Sequence, residues 1–283
     1  MQIKICADST CDLSPEMLSR LDVTLSPLSV LVDDEVFHDG LDIAPARIFE
    51  ASESGKTVRT TAVNTYEYEE LFRACLEKYD AVIHISLSKA FSASYGNACQ
   101  AAKNFTNVYV VNSRNLSTGS GLMVMDAVRM ARDGMAPEDI VRALEAETSL
   151  VDASFVIEQV DYLHRGGRCS GVEAAGAKLL HIKPSIEVID GKMAVGKKYR
   201  GSFERCLEHY VADKLADTET IDLSRIFITH SACSDEVVAL VRRLVADKAP
   251  FKEIEVTTAG CTISTHCGPG TLGILFKRTR PKT

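Results

Sequence analysis

The sequence predicts an α/β protein of two domains. Residues 1–150 should form an N-terminal α/β/α domain on a parallel, Rossmann-like sheet, and residues 151–283 a C-terminal α+β domain with a mixed sheet. Short apolar runs alternate with amphipathic helical segments through the first half, which is the pattern of βαβ units. That alternation breaks near Leu150, and Asp190-Gly191 then marks a two-residue hairpin turn. A chain of 283 residues with 46% apolar content suffices for two cores.

Each element has a local reason. "QIKICAD" is a short apolar strand that ends in the polar turn "DSTCDLSPE". Ser14 caps the next helix, whose first residue is Pro15, a position where a missing N–H costs nothing. "VTLSPLSVLV" reads as extended chain, "DDE" as a turn, and "IAPARIFEASESG" as a helix stopped by Gly55. "NTYEYEELFRACLEKY" is an amphipathic helix with Asn64 or Thr65 as cap. "AVIHISLS" and "VYVVNS" are strands flanking the helix "SASYGNACQAAKNF". Two helices follow, one ending at Gly134 and one starting at Pro137. In the second half, "ASFVIEQ" is a strand, and "VDYLHRGGR" a short segment before the helix "GVEAAGAKLL". "IKPSIEVIDGKMAVGKKYR" is a hairpin, "SFERCLEHYVADKLAD" a long helix, and "RIFITHSA" a strand. The helix "DEVVALVRRLVADKA" and two further strands complete the chain. No Gly/Ser linker separates the halves, so they are expected to pack closely.

Composition narrows function. A net charge of −7 argues against general nucleic-acid binding, which rests on neutralising phosphates. No apolar run approaches the roughly 18 residues of a membrane span. The opening "MQIKICADST" enters a strand at once, unlike a secretory leader. The nine cysteines include no Cys-x-x-Cys, and the pairs Cys6/Cys11 and Cys261/Cys267 do not fit a zinc pattern. They read as free, mostly buried thiols of a cytoplasmic protein, and no metal is expected. Nucleotide binding has no support from a Walker-type loop, and no Gly-x-Ser-x-Gly elbow marks a serine hydrolase.

Several polar clusters fall where ligands bind in open parallel sheets, beyond the carboxyl ends of the strands. They are Asp8-Ser9-Thr10, Thr60-Thr61, Ser86 to Ser94, and Asn112-Ser113. "SLSKAFSASYG" puts Ser92 where a helix begins, and a helix N-terminus can hold a carboxylate or phosphate. The plainer reading makes Ser92 and Ser94 simple caps. His266 stands two residues before Gly268-Pro269-Gly270, close to Thr262, Ser264 and Thr265, in an otherwise apolar, β-branched stretch. A neutral ring donates from one nitrogen and accepts on the other, so it could fasten a carboxylate through a hydroxyl. A lone histidine beside an apolar run is more often structural, and no acid that would orient it as a catalytic base is identifiable. Arg165, Arg168, Lys197, Lys198 and Arg200 form a basic set in an acidic chain. Arginine forks suit phosphates and carboxylates, although a solvated surface would look the same.

Taken in order, "ADSTCDL", "PLSV" with "DG" soon after, Thr61, "SLSKAFSASYGNA", "DYLHRGGRCSG", "LLHIKPSIEVIDGK", Arg200 and "HCGPGTLGI" resemble the DegV family of bacterial lipid-binding proteins, over essentially the whole chain. The resemblance implies a monomeric, non-catalytic protein that buries one long-chain fatty acid between its two domains. It implies a carboxylate held by Thr61, Ser92 and His266, with no cofactor beyond the lipid. It further implies a partner, the ATP-binding subunit of a fatty acid kinase, which makes the acyl phosphate. Arg168 and Arg200 are then contacts for the acyl phosphate or the kinase, and any contact with a membrane surface is transient. Some positions depart from the family's pattern: "TTAVN" replaces Thr-Ser-Gln-Pro, Ala93-Ser94 replaces Gly-Thr, Asn112 stands where an acid is common, and Cys267 where a small hydroxyl residue is common. A lipid-responsive regulatory module, or less readily a hydrolase using one of the serines, are the competing readings. The physics permits the first: about fourteen buried methylenes contribute roughly 11 kcal/mol gross, enough to outlast the cost of ordering the chain and desolvating its head.

Overall fold

A computed structural model describes residues 1–169 and 182–281. The segment "GVEAAGAKLL", expected to be helical, lies outside the described residues.

The first half builds a four-stranded, fully parallel sheet in the order β2-β1-β6-β7, from β1 (Ile3–Asp8), β2 (Val23–Ser26), β6 (Ala81–Ser86) and β7 (Val108–Asn112). Its central strands β1 and β6 are buried along nearly their whole length, as parallel strands covered on both faces must be. The crossovers are helices, two of them with the anticipated starts. Ser14 accepts from Met17 N–H at the head of α1 (Pro15–Leu21), and Asn64 with Glu67 forms a capping box on α3 (Thr65–Leu76). Gly55, at φ 80°, follows α2 (Pro45–Glu53). The helix α4 (Ser94–Ala102) precedes β7, and α5 (Ser117–Arg132) and α6 (Pro137–Glu147) follow it.

The second half is a six-stranded mixed sheet, β10-β9-β8-β13-β11-β12. Its strands are β8 (Val151–Ile157), β9 (Lys183–Ile189), β10 (Lys192–Tyr199), β11 (Ile221–Ser231), β12 (Glu253–Thr258) and β13 (Thr271–Arg278). Only β11 and β12 run parallel. The hairpin β9–β10 turns at Asp190 and Gly191, both with positive φ (50° and 78°), as the favoured two-residue turn requires. The helices α7 (Val160–Gly166), α8 (Phe203–Lys214) and α9 (Asp235–Lys248) accompany this sheet.

Two features differ from expectation. A small antiparallel sheet, β4-β3-β5, is made by β3 (Ser29–Val32), β4 (Glu35–His38) and β5 (Val58–Thr61), and it places Thr60 and Thr61 on an outer strand. The stretch around His266, apolar and β-branched in sequence and given no helix there, is a helix, α10 (Cys261–Cys267). Its start is fixed from outside the local sequence. Asp39 accepts from the N–H of Cys261 (2.7 Å) and Thr262 (3.1 Å), and Asp12 from that of Gly260 (2.9 Å). Those two carboxyl groups satisfy orphan donors that the cap residue Gly260 has no side chain to reach, so tertiary partners override local propensity.

The string Gly268, Gly270, Gly273 has the spacing Gly-x-Gly-x-x-Gly. It leads from α10 into β13 rather than from a strand into a helix, so it is not a dinucleotide loop.

The apolar cores tie the sheets together. One cluster holds Ile5 and Ile83 of the parallel sheet with Phe227 and Leu275 of the mixed sheet. Another joins Val82 and Leu87 to Phe155, Ile157 and Met193. The methionines of α5 pack into the first cluster.

Candidate functional site

A narrow slot opens where the loops after β6, the strand β5 and the helix α10 converge. Its walls include Leu28, Leu87, Phe91, Leu116, Met193 and Ile263. Its polar lining is Thr60, Thr61, Ser92, Thr262, His266 and Arg168, and its atom-free space, mouth included, is about 520 Å³. Thr61, Ser92 and His266, three residues singled out from the sequence, therefore share one cavity. Arg168 lines it as well; Arg200, exposed between β10 and α8, does not.

The ring of His266 is held on two sides. Its Nε2 lies 2.8 Å from Thr60 Oγ1. On the other side Gly166, the last residue of α7, approaches so closely that a Cβ there would stand 2.7 Å from Nδ1. Thr60, not Thr61, is thus the hydroxyl bonded to the histidine, and sequence spacing gave no sign of it because the two are joined only through the β3–β5 pairing and the placement of α10. Burial, with Arg168 adding repulsion, lowers the His266 pKa to about 4, so the ring is neutral at physiological pH. Among the described residues no carboxylate bonds to His266, so a hydrolytic relay has no orienting acid here.

Ser92 sits two residues before α4. Its Oγ accepts from Ser94 N–H (3.2 Å) and lies 2.9 Å from Ser94 Oγ. The helix begins at Ser94 with Ala93 in the cap position and no side-chain cap, which corrects the reading of Ser92 as its first residue. The hydroxyl of Ser92 remains on the slot.

Behind the slot lies a polar cluster that the sequence placed at the strand ends without showing its wiring. Asp8 accepts from Tyr68 Oη (2.5 Å), Ser86 Oγ (2.8 Å) and Leu87 N–H (2.8 Å), and lies 3.0 Å from His84 Nε2. Burial alone would raise its pKa; the His84 contact, the Tyr68 phenol and the Leu87 N–H outweigh this and lower it. The cluster pins the loop that carries Leu87 and Phe91.

Thr60, His266 and Arg168 also line an adjoining, larger cleft. Lys56, Arg59 and Arg165 join them there, and no Asp or Glu lines it. None of these four cations has a carboxylate within 4 Å among the described residues. The basic set seen in the sequence therefore divides: Arg165 and Arg168 face the cleft, while Lys197 pairs with Asp213 at 2.7 Å. Among the described residues no three His, Cys, Asp or Glu side chains gather to hold a metal ion, and no helix is long and apolar enough to cross a membrane.

Fold and slot together define an α/β protein, built on a parallel and a mixed sheet, with a small-molecule cavity lined by residues of both halves. The chain belongs to the DegV family, whose pattern it matches over residues 2–279. A DegV domain-containing protein of Deinococcus radiodurans is 30% identical over 279 residues, covering 98% of this chain and 99% of its own. A DegV family protein from Thermus thermophilus, described as binding fatty acid, superposes with a TM-score of 0.91 at 29% identity, covering 98% of this chain and all of its own. A stearic-acid-binding protein from Eubacterium ventriosum superposes with a TM-score of 0.81 at 25% identity over 98% of both chains.

Proposed function

We propose that this protein binds one long-chain fatty acid in the slot, with the carboxylate at Thr60, Thr61, Ser92 and His266, and presents it to a kinase that converts it to an acyl phosphate. One observation carries the reading. An apolar slot gathers hydroxyls from β5 and the α4 entry with a neutral histidine from α10, three segments far apart in sequence. The fatty-acid ligands of the Thermus and Eubacterium relatives support it.

The chemistry is that of an anion bound without a buried counter-charge. A bare carboxylate is not tolerated in an apolar wall, so strong hydrogen bonds must replace its water. With its proton on Nε2, His266 donates to Thr60, and the Thr60 hydroxyl proton is left for the ligand. Nδ1 then carries only a lone pair against Gly166. Thr61 and Ser92 supply further hydroxyls, and Arg168 brings positive charge from the cleft side. The cleft's four cations suit a phosphoryl group arriving at the carboxylate. The protein contributes binding and orientation, and the kinase subunit contributes ATP.

Native mass spectrometry of gently purified protein should show a single adduct with the mass of a long-chain fatty acid. Protein free of lipid that also fails to take up labelled palmitate defeats the reading. Arg168→Ala and Arg200→Ala test the second half of the proposal. Arg200→Ala should leave palmitate binding nearly intact, whereas Arg168→Ala, which removes a charge from the slot, should weaken it; each should slow acyl-phosphate formation at saturating palmitate with the cognate kinase, and an unchanged rate removes that arginine from the account.

A further inference from the structure

Cys6 of β1 and Cys75 of α3 bring their sulfurs to 3.7 Å, although they stand 69 positions apart in the chain. Cys6 is fully buried and Cys75 is 8% exposed, so the pair is reached from the Cys75 side. Lys4, Cys6 and Asp8 alternate along β1 and point to one face of the sheet. The helix α3 covers that face. Its Tyr68 donates to Asp8 (2.5 Å), and its Cys75, two turns further on, meets Cys6. Two contacts thus tie one helix to one strand, the first by a strong hydrogen bond and the second by the weak one that a thiol makes.

The two thiols are not equivalent. The Cys6 contact lowers the Cys75 pKa, and the charge of Lys4 adds to this against burial. Cys6 is pushed well above the ordinary thiol range, by the same contact first and by burial second. Cys75 is therefore the sulfur that ionises, with the Cys6 S–H donating to it. Lys4 is itself fixed by a bond to Asp22 (2.6 Å) and lies over the Tyr79 ring (5.0 Å). Elsewhere burial pushes Cys11, Cys233, Cys261 and Cys267 up to about 12, which keeps them as inert thiols.

We propose that Cys6 and Cys75 form an oxidation site for hydrogen peroxide, and that its product is an intramolecular disulfide clasping α3 to β1. The Cys75 thiolate attacks one peroxide oxygen, the O–O bond breaks, and the departing hydroxide takes up a proton and leaves as water. Cys75 is then a sulfenic acid. Cys6 attacks its sulfur and gives up its own proton; the S–S bond forms, the S–O bond breaks, and a second water leaves. Two thiols lose two electrons, and the peroxide gains them. The sulfurs must close from 3.7 Å to about 2.0 Å. Cys75 lies in the last turn of α3, beside the chain turn at Glu77 and Lys78, so this movement falls where the helix ends. The bond would close a long loop and so restrict the unfolded chain.

The test uses the full chain, fully reduced, exposed to hydrogen peroxide and then denatured in iodoacetamide. Digestion without reductant should yield a peptide pair joining Cys6 to Cys75, with Cys11, Cys233, Cys261 and Cys267 alkylated. The oxidised protein should melt about 5 °C higher than the reduced protein, and a phosphine reductant should bring it back. Cys75→Ser should show no such rise. Alkyl label on both Cys6 and Cys75 after peroxide treatment overturns the proposal. So does Cys75 carried on to sulfinic acid while Cys6 stays free, because the second thiol then fails to reach the first.

Discussion

Gly166 decides where the imidazole of His266 can stand. It is a helical residue without positive φ, so alanine suits its backbone and even favours the helix by roughly 1 kcal/mol. The added Cβ would nevertheless press to 2.7 Å from Nδ1, and the ring must move off Thr60. Gly166→Ala should therefore weaken fatty-acid binding by about tenfold, the worth of one well-placed hydrogen bond, while urea unfolding shows little change. Equal affinity for palmitate would mean that the ring's position does not matter to the ligand. The same ring makes a pH prediction. Its pKa in the fold, about 4, lies below the unfolded value of about 6.5. Neutral His266 thus contributes stability that is present in full above pH 6.5 and is lost as pH falls toward 4, at most about 3 kcal/mol. Palmitate affinity should stay flat from pH 8 to 6 and fall only below that; a loss centred near pH 6.5 would mean that the ring titrates freely.

At the scale of elements, α10 is the part of the site least secured by its own sequence. Seven residues, three of them β-branched, do not hold a helix unaided. Asp39 does so instead, receiving two backbone N–H groups and the Ser9 hydroxyl (3.1 Å) while almost wholly buried. In Asp39→Asn the amide turns a donor toward one of those donors, which should destabilise the protein by about 2 kcal/mol and loosen His266 at the other end of the helix. Chemical denaturation and palmitate titration would report the two effects together, and a variant of unchanged stability would refute the clasp. Asp12 beside it is raised to about 8, by burial above all, with Asp39 adding to the shift against the Ser117 and Gly260 bonds. A carboxyl whose pKa rises on folding stabilises the fold at low pH, and that contribution is lost as pH climbs toward 8. The strand–helix alternation of the first half, the caps Ser14 and Asn64, and the Asp190-Gly191 turn were legible because each is local. The helix α10 and the sheet β4-β3-β5 were not, since an acid more than two hundred residues upstream starts one, and the other pairs short strands that carry no long alternation. For the same reason the polar set Thr61, Ser92 and His266 was reachable through family resemblance, whereas the Thr60–His266 bond and the cations Lys56 and Arg59 in the cleft were not.

Across the whole molecule, the slot lies within cores that both sheets share. Leu87, Leu116 and Met193, which wall it, belong to the same apolar cluster as Val82 of the parallel sheet and Phe155 and Ile157 of the mixed sheet. Separating the halves would expose that cluster, so neither should melt alone. On the proposed reading, a fatty acid lying in the slot touches both halves. It binds the folded state and not the unfolded one, so its effect follows mass action: at free ligand one hundred times its dissociation constant, the gain is about 2.7 kcal/mol. For a chain of this size that corresponds to a rise in Tm of about 5 °C. Delipidated protein should therefore melt in one calorimetric transition, and palmitate should move that transition upward as a whole. If the protein instead melts in two steps, with the lipid shifting only one of them, the ligand is held by a single half, and the slot is not the shared structure that these cores describe.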